Sequence, residues 1–202
     1  MTKRLASTAF IINDEEEIVG VQDVNDGEEH LFVYQNDILE IKALVHTAVN
    51  KHNGTVNKGQ VVYIQGSQGQ RIAMELAQAN TESTSSKSFG LMFETTAKNQ
   101  VGRVITEGLI ENVNTNGFNE GDLLWLSATE AGGLTATRPV APNHGVFIGV
   151  CVRKNKNNGS IFVKVQNGVE LDELHNVLIT DPQNGDILKY NGTTHVWYNA
   201  QP

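Results

Sequence analysis

The chain has 202 residues, a net charge of −8, 19 glycines and a charged fraction of 19%. So acidic a surface excludes general nucleic-acid binding, which needs a basic face against the phosphates, and a lone cysteine excludes a disulfide framework or a cysteine-based metal centre. No apolar run nears the length of a membrane span and the first residues lack a signal-peptide-like core, so the expectation is a soluble chain made in a cytoplasm.

Residues 1–44 differ in pattern from the rest of the chain. Ala9-Phe10-Ile11-Ile12 and Ile18-Val19-Gly20-Val21 are strand-like runs on either side of the acidic turn Asn13–Glu17. That turn reads as a solvated hairpin tip, since nothing nearby completes a cation-ligand set. Asp26-Gly27 marks another turn before Leu31–Tyr34. From Ile38 to Val49 the apolar spacing fits a helical period, yet Val45, Thr47 and Val49 alternate. A strand from Leu44 onward is the reading adopted.

The stretch from Lys58 to Gly168 repeats itself. Lys58-Gly59-Gln60-Val61-Val62-Tyr63-Ile64 reappears as Glu120-Gly121-Asp122-Leu123-Leu124-Trp125-Leu126. Phe89–Glu94 is answered by Ile148–Arg153, and Gly102–Gly108 by Gly159–Gly168. The offset is roughly 60 residues, the range in which repeated modules show themselves. A third echo, Asn184-Gly185-Asp186-Ile187-Leu188-Lys189-Tyr190, stands near the C-terminus. The pattern predicts a 1–44 β-rich N-terminal segment, modules at 45–114 and 115–169, and a 170–202 linker with a short β-motif.

Within the modules, strands are predicted at Val61–Gln65, Arg71–Ala77, Gly90–Glu94, Gly102–Thr106 and Leu109–Val113. They resume at Leu123–Ser127, Leu134–Thr137, Gly145–Arg153 and Ser160–Gln166. The polar connection Asn80–Ser88 has room for one helical turn capped by Asn80 or Thr81, and Pro139–Pro142 is an extended link outside any ladder. Six Asn-Gly dipeptides, at Asn53, Asn116, Asn158, Asn167, Asn184 and Asn191, predict type I′ hairpins. The fold class is all-β, with tandem-duplicated small sandwich or barrel-like modules and little helix. The one helical candidate, Val169–Leu178, carries the stripe Leu171, Leu174, Val177 and Leu178; an extended linker fits the same residues nearly as well.

No catalytic set emerges. The six histidines are scattered without metal-ligand spacing, and His175 beside Glu173 reads as a solvated residue. Gly-x-Ser-x-Gly, Walker and Rossmann patterns are missing from the sequence. Glu120 and Asp122 could suggest a glycosidase pair, but their place around a repeated strand-entry glycine explains them without catalysis. Cys151, between Val150 and Val152, reads as a packed thiol. Tyr63 and Trp125 hold equivalent places, which predicts core packing. Trp197 and Tyr198 form a candidate exposed aromatic patch.

The residues Glu107–Val113, Glu120–Ser127, Arg138–His144, Phe147–Val150, Gly159–Val163 and Gln166–Val177 resemble the repeated β-modules of tailed-bacteriophage virion structural proteins, of the tail-fibre, head-fibre and capsid-decoration type. Asn184 through Trp197 resembles the short motif that such fibres carry before their distal parts. The likeness spans residues 55–197 and leaves 1–44 outside it. It implies a non-enzymatic virion protein, synthesised in the host cytoplasm, attached to the particle surface and partnered by capsid or tail proteins. It also implies a homotrimer, for which Leu171, Leu174, Val177 and Leu178 are the candidate seam. No cofactor, metal, nucleic acid or membrane is expected. The alternative is a carbohydrate-binding module for host-surface glycan, using Trp197, Tyr198 and His195.

Overall fold

The computed structural model describes residues 43–202 in full and, before them, the backbone of five strands: β1 (Arg4–Leu5), β2 (Thr8–Ile12), β3 (Ile18–Asp23), β4 (Phe32–Gln35) and β5 (Ile38–Ile41). β1, β2 and β3 form an antiparallel sheet and β4 pairs with β5. The acidic turn at 13–17 and the Asp26-Gly27 turn lie outside the described residues. Strands make up 47% and helix 4%, an all-β protein.

The chain divides into two units, Met1–Asn167 and Gly168–Pro202. In the first, β6 (Ala43–Asn50), β7 (Val61–Gln68), β8 (Arg71–Leu76), β9 (Ser88–Met92) and β10 (Val101–Val113) form a closed ring. β10 pairs with β6, β6 with β8 in parallel, β8 with β7, β7 with β9, and β9 returns to β10. Every strand of the ring sends one fully buried side chain to a common cluster: Ala48, Val62, Met74, Met92 and Val104, with Val56 beside them. These are the interior of a small barrel, and closure leaves none of its strands with a bare edge.

β10 does not stop at the barrel. Its C-terminal half pairs with β14 (Gly159–Gln166), which pairs with β13 (Phe147–Arg153), then β11 (Leu123–Leu126) and β12 (Leu134–Thr135). Local pattern predicts two strands at Gly102–Thr106 and Leu109–Val113; the structure joins them into one of 13 residues. The junction is visible as extra residues, Thr106 against β6 and Asn112 against β14, with Gly108 and Asn112 at positive φ. Such bulges turn a strand without ending its ladder. Adjacent apolar pairs result from this geometry. Val62, Met92 and Val104 face the barrel interior, while Val61, Leu91 and Ile105 join the larger cluster with Ile110, Leu124, Ile148 and Ile161.

The three-strand register of the first segment recurs in the second. Val62 lies opposite Gly90 and Leu91 opposite Ile105; Leu124 lies opposite Gly149 and Val150 opposite Phe162. A Cβ on Gly90 would collide with the Ile105 carbonyl, and one on Gly149 with the Phe162 carbonyl. Both glycines are there because strands approach too closely for a side chain.

The asparagine-glycine pairs behave differently from the expectation. Among residues at positive φ only Gly185 belongs to such a pair, so no type I′ turn is made at any of them. Nearby asparagine side chains hold these turns instead. Asn50 Oδ1 accepts the His52 N–H, Asn114 that of Asn116, Asn155 those of Asn157 and Asn158, and Asn191 those of Thr193 and Thr194. This side-chain mimicry of a backbone turn competes directly with the type I′ geometry. Gly69-Gln70, between β7 and β8, is the two-residue hairpin among the described residues, with positive φ at the first central position as a type II′ turn requires. The helical turn α1 (Glu82–Ser85) sits where the polar connection allowed one; Thr81 stands at its N-cap position but makes no side-chain cap hydrogen bond.

Trp125 corrects a second expectation. It is half-buried and outside both apolar clusters, packed edge-on against Phe147 at 5.5 Å with the Arg138 guanidinium 5.1 Å from its ring. Its neighbour Leu124 is the residue that fills the core. These placements set two stability rankings. Gly149→Ala should cost about 1–3 kcal/mol through forced strand separation, whereas Gly117→Ala, with open space around it, should stay within about 0.5 kcal/mol. Leu124→Ala should cost about 2–5 kcal/mol and more than Trp125→Ala; urea unfolding of the variants checks both rankings.

Candidate functional site

Carboxylates and amides that sequence alone could have assigned to chemistry are occupied in holding turns. Asp122 Oδ2 accepts the N–H of Asn119 at 2.8 Å, and Asn119 O accepts that of Asp122 at 3.1 Å. Gln60 holds Asn57 in the same way, at 2.7 and 3.1 Å. Asp186 holds Gln183 at 3.0 and 3.1 Å. In all three, the residue before the holder is a glycine at positive φ: Gly59 (83°), Gly121 (89°) and Gly185 (92°). That is the conformation glycine supplies at the third position of a type II turn. The turn enters β7 and β11 identically: Gly59 N–H donates to Met92 O and Gly121 N–H to Cys151 O.

Glu120, the proposed partner of Asp122 in a glycosidase pair, accepts the backbone N–H of Lys154 at 3.2 Å. Glu173 accepts the N–H of Glu170 at 2.6 Å as half of a capping box. His144 lies 3.1 Å from Glu82. Cys151 is buried and free, its thiol pushed up by desolvation, partly countered by a hydrogen bond with Thr115.

A cleft of about 360 Å³ lies between the two halves of the first unit, with Lys58, Gln60, Phe118, Glu130 and Leu134 among its walls. Its backbone donors are committed: Gly59 to Met92, Gly132 to Ala77 and Gly133 to Glu130. The polar side chains on this wall are Lys58, Gln60, Asn114 and Glu130, of which Gln60 is committed to the Asn57 N–H.

The C-terminal unit is built differently. β15 (Val177–Leu178), β16 (Ile187–Asn191) and β17 (Val196–Ala200) form a sheet in the order β15-β17-β16. None of the residues 168–202 is buried. The Val169–Leu178 segment is a short 3-10 turn, Leu171–Glu173, followed by a strand, so the predicted helical stripe is not one surface. Val177 pairs with Trp197 and Leu178 with Tyr198, which puts Val177 and Leu178 on opposite faces. Leu171 and Leu174 precede the sheet and are exposed.

The same alternation separates Trp197 from Tyr198. One face carries Val177, Leu188, Tyr190 and Trp197; the other carries Leu178, Ile187, Val196 and Tyr198. The aromatic group that does assemble is Tyr190, Trp197 and His195. Tyr190 and Trp197 are cross-strand partners with ring centroids 5.2 Å apart, and the Tyr190 hydroxyl is hydrogen-bonded to His195 Nδ1 at 2.9 Å. His195 takes positive φ at the end of the Asn191 loop, its N–H donating to Asn191 O. Sequence pattern points to Trp197 and His195 but passes over Tyr190. Counting outward from the loop at 192–195 sets 190 opposite 197, and that is the signal that could have found it.

No protein-family model matches this chain, and no curated protein matches it.

Asp186 ties this sheet together. It accepts from Gln183 N–H, Asn199 Nδ2 (2.8 Å) and Gln201 Nε2, which hold its carboxyl below the ordinary aspartate range. A depressed folded pKa gives stability that is complete above the unfolded value and lost as pH falls through the folded one. Acidification below the ordinary aspartate range should therefore loosen the C-terminal unit. Trp197 fluorescence in a Trp125→Phe background should report the change, and Asp186→Asn should abolish its acid dependence.

Proposed function

We propose that this protein is a non-enzymatic structural component of a tailed-phage virion, a fibre-like or decoration subunit displayed on the particle surface. In this reading it is a homotrimer and its partners are capsid or tail proteins. The observation that carries the proposal is the recurrence of one turn-and-strand device. The residues that carry the resemblance, Glu120–Ser127, Phe147–Val150 and Asn184–Tyr190, are those that build the type II turn and the strand registers. The equivalence of the β7-β9-β10 and β11-β13-β14 registers supports a tandem duplication behind the two segments. Asp122 and Glu173 commit hydrogen bonds to local turns and Glu120 to the Lys154 backbone, which suits a scaffold. Antibody raised against residues 1–44, applied to purified particles and imaged by electron microscopy, tests the reading. Label at regular surface positions is expected; particles that lack the chain would overturn it.

A second reading, a carbohydrate-binding module, draws on the exposed Tyr190, His195 and Trp197 group. Aromatic faces with polar tips suit a ligand that is apolar on one side and wet on the other. Glycan-array binding that disappears in Trp197→Ala and in Tyr190→Ala would favour it, and an array without signal would remove it.

A further inference from the structure

We propose that the cleft between the two halves of the first unit binds a small zwitterion, a free α-amino acid with an apolar side chain. This goes beyond the virion reading and does not depend on it.

The cleft volume of about 360 Å³ falls within the roughly 300–1,000 Å³ of small-ligand sites. Its lining divides by chemistry. Val113 and Ile161 are buried, and Phe118 and Leu134 are half-buried against the same apolar cluster. The polar part is rich in donors because the turns have used up its amide oxygens. Gln60 Oε1 accepts the Asn57 N–H at 2.7 Å, and Asn114 Oδ1 accepts the Asn116 N–H at 3.1 Å. A backbone N–H can meet only the oxygen of a side-chain amide, so both amides are fixed in orientation. Their NH2 groups have no partner among the described residues.

Lys58 adds an ammonium, 5.5 Å from the Phe93 ring centroid and in no ion pair with a described carboxylate. Glu130 supplies the one carboxylate of the lining, and no described group donates to it. Two adjacent glycines make room for these side chains. A Cβ on Gly132 would stand 3.3 Å from Gln60 Nε2, and one on Gly133 would stand 3.0 Å from Glu130 Oε2.

The lining therefore holds one cation and one anion that are not paired with each other, beside two spare amide donors. Open to water, both charges are solvated. A ligand that covers them removes that water, and a covered charge without a counter-charge is strongly unfavourable. A neutral sugar offers no counter-charge, a simple carboxylate sets an anion against Glu130, and a simple amine sets a cation against Lys58. A zwitterion answers both. Its carboxylate takes the Lys58 ammonium and the amide hydrogens, its ammonium takes Glu130, and both contacts are charge-assisted hydrogen bonds. Its side chain lies on Phe118 and Leu134.

Amide NMR of the full chain, titrated with L-phenylalanine in mildly acidic buffer, tests the site. Saturable shifts are expected at Gly132, Gly133 and Phe118. N-acetyl-L-phenylalanine lacks the ammonium and L-phenylalaninamide lacks the carboxylate; each should bind at least about tenfold more weakly. These comparisons leave the protein unaltered, so a folding defect cannot produce them. Lys58→Met should erase the preference for phenylalanine over its amide, and Glu130→Gln the preference over the N-acetyl compound. Absence of saturable shifts at millimolar ligand would overturn the site. Equal binding of the three compounds, or preferences that persist in both variants, would overturn the assignment of a zwitterion to it.

Discussion

The first unit depends on one strand serving two sets of neighbours. β10 closes the barrel by pairing with β6 and β9, then continues past Thr106 to pair with β14. A strand that does both must turn without interrupting its ladder, and the extra residues at Thr106 and Asn112 with the positive φ at Gly108 perform that turn. Because β10 is shared, the larger apolar cluster runs unbroken from Val61 and Leu91 on the barrel wall to Leu124 and Ile161 in the second segment. Neither half owns that cluster. Small domains bury a poor share of their surface, and a common wall lets each half use the other's apolar face.

Around this strand, glycine acts through what it lacks. At Gly90 and Gly149 the facing carbonyl occupies the place of a Cβ; at Gly59, Gly121 and Gly185 the backbone takes a φ that other residues adopt only with strain. The side chain next after each of the latter, Gln60, Asp122 or Asp186, locks the turn by accepting the N–H three residues back. Amide and carboxylate are interchangeable there because only an acceptor oxygen is required. Charge at those positions therefore carries no message about catalysis.

Much of this is legible in the sequence. The repeated motif locates the turns and the strands they lead into, since the glycine, the acceptor and the apolar run lie within a few residues of one another. Strand faces are less legible. Val61-Val62 and Val104-Ile105 are adjacent and both buried, which alternation does not predict for a half-exposed strand; the cause is a barrel wall with protein on both sides. Trp125 misleads because its place in the repeat matches that of Tyr63, which packs against the core, whereas Trp125 meets Phe147 and Arg138 instead. The Asn-Gly pairs mislead when the dipeptide is read without the asparagines upstream, whose side chains decide the turn. The continuity of β10 and the pairing of Tyr190 with Trp197 depend on long-range register, which no local pattern contains.

The two uses suggested for the C-terminal sheet compete for the same atoms. A face that seals a subunit seam loses its water and its access, while a sugar platform must keep both. Trp197 and Tyr190 share one face as cross-strand partners, so assembly through that face withdraws both rings together. Tyr198, on the other face, cannot replace them alone, because stacking platforms gain from adjacent rings and its neighbours there are Leu178, Ile187 and Val196. Glycan binding and subunit contact through this face are thus alternatives, and whichever of them used Trp197 would exclude the other there.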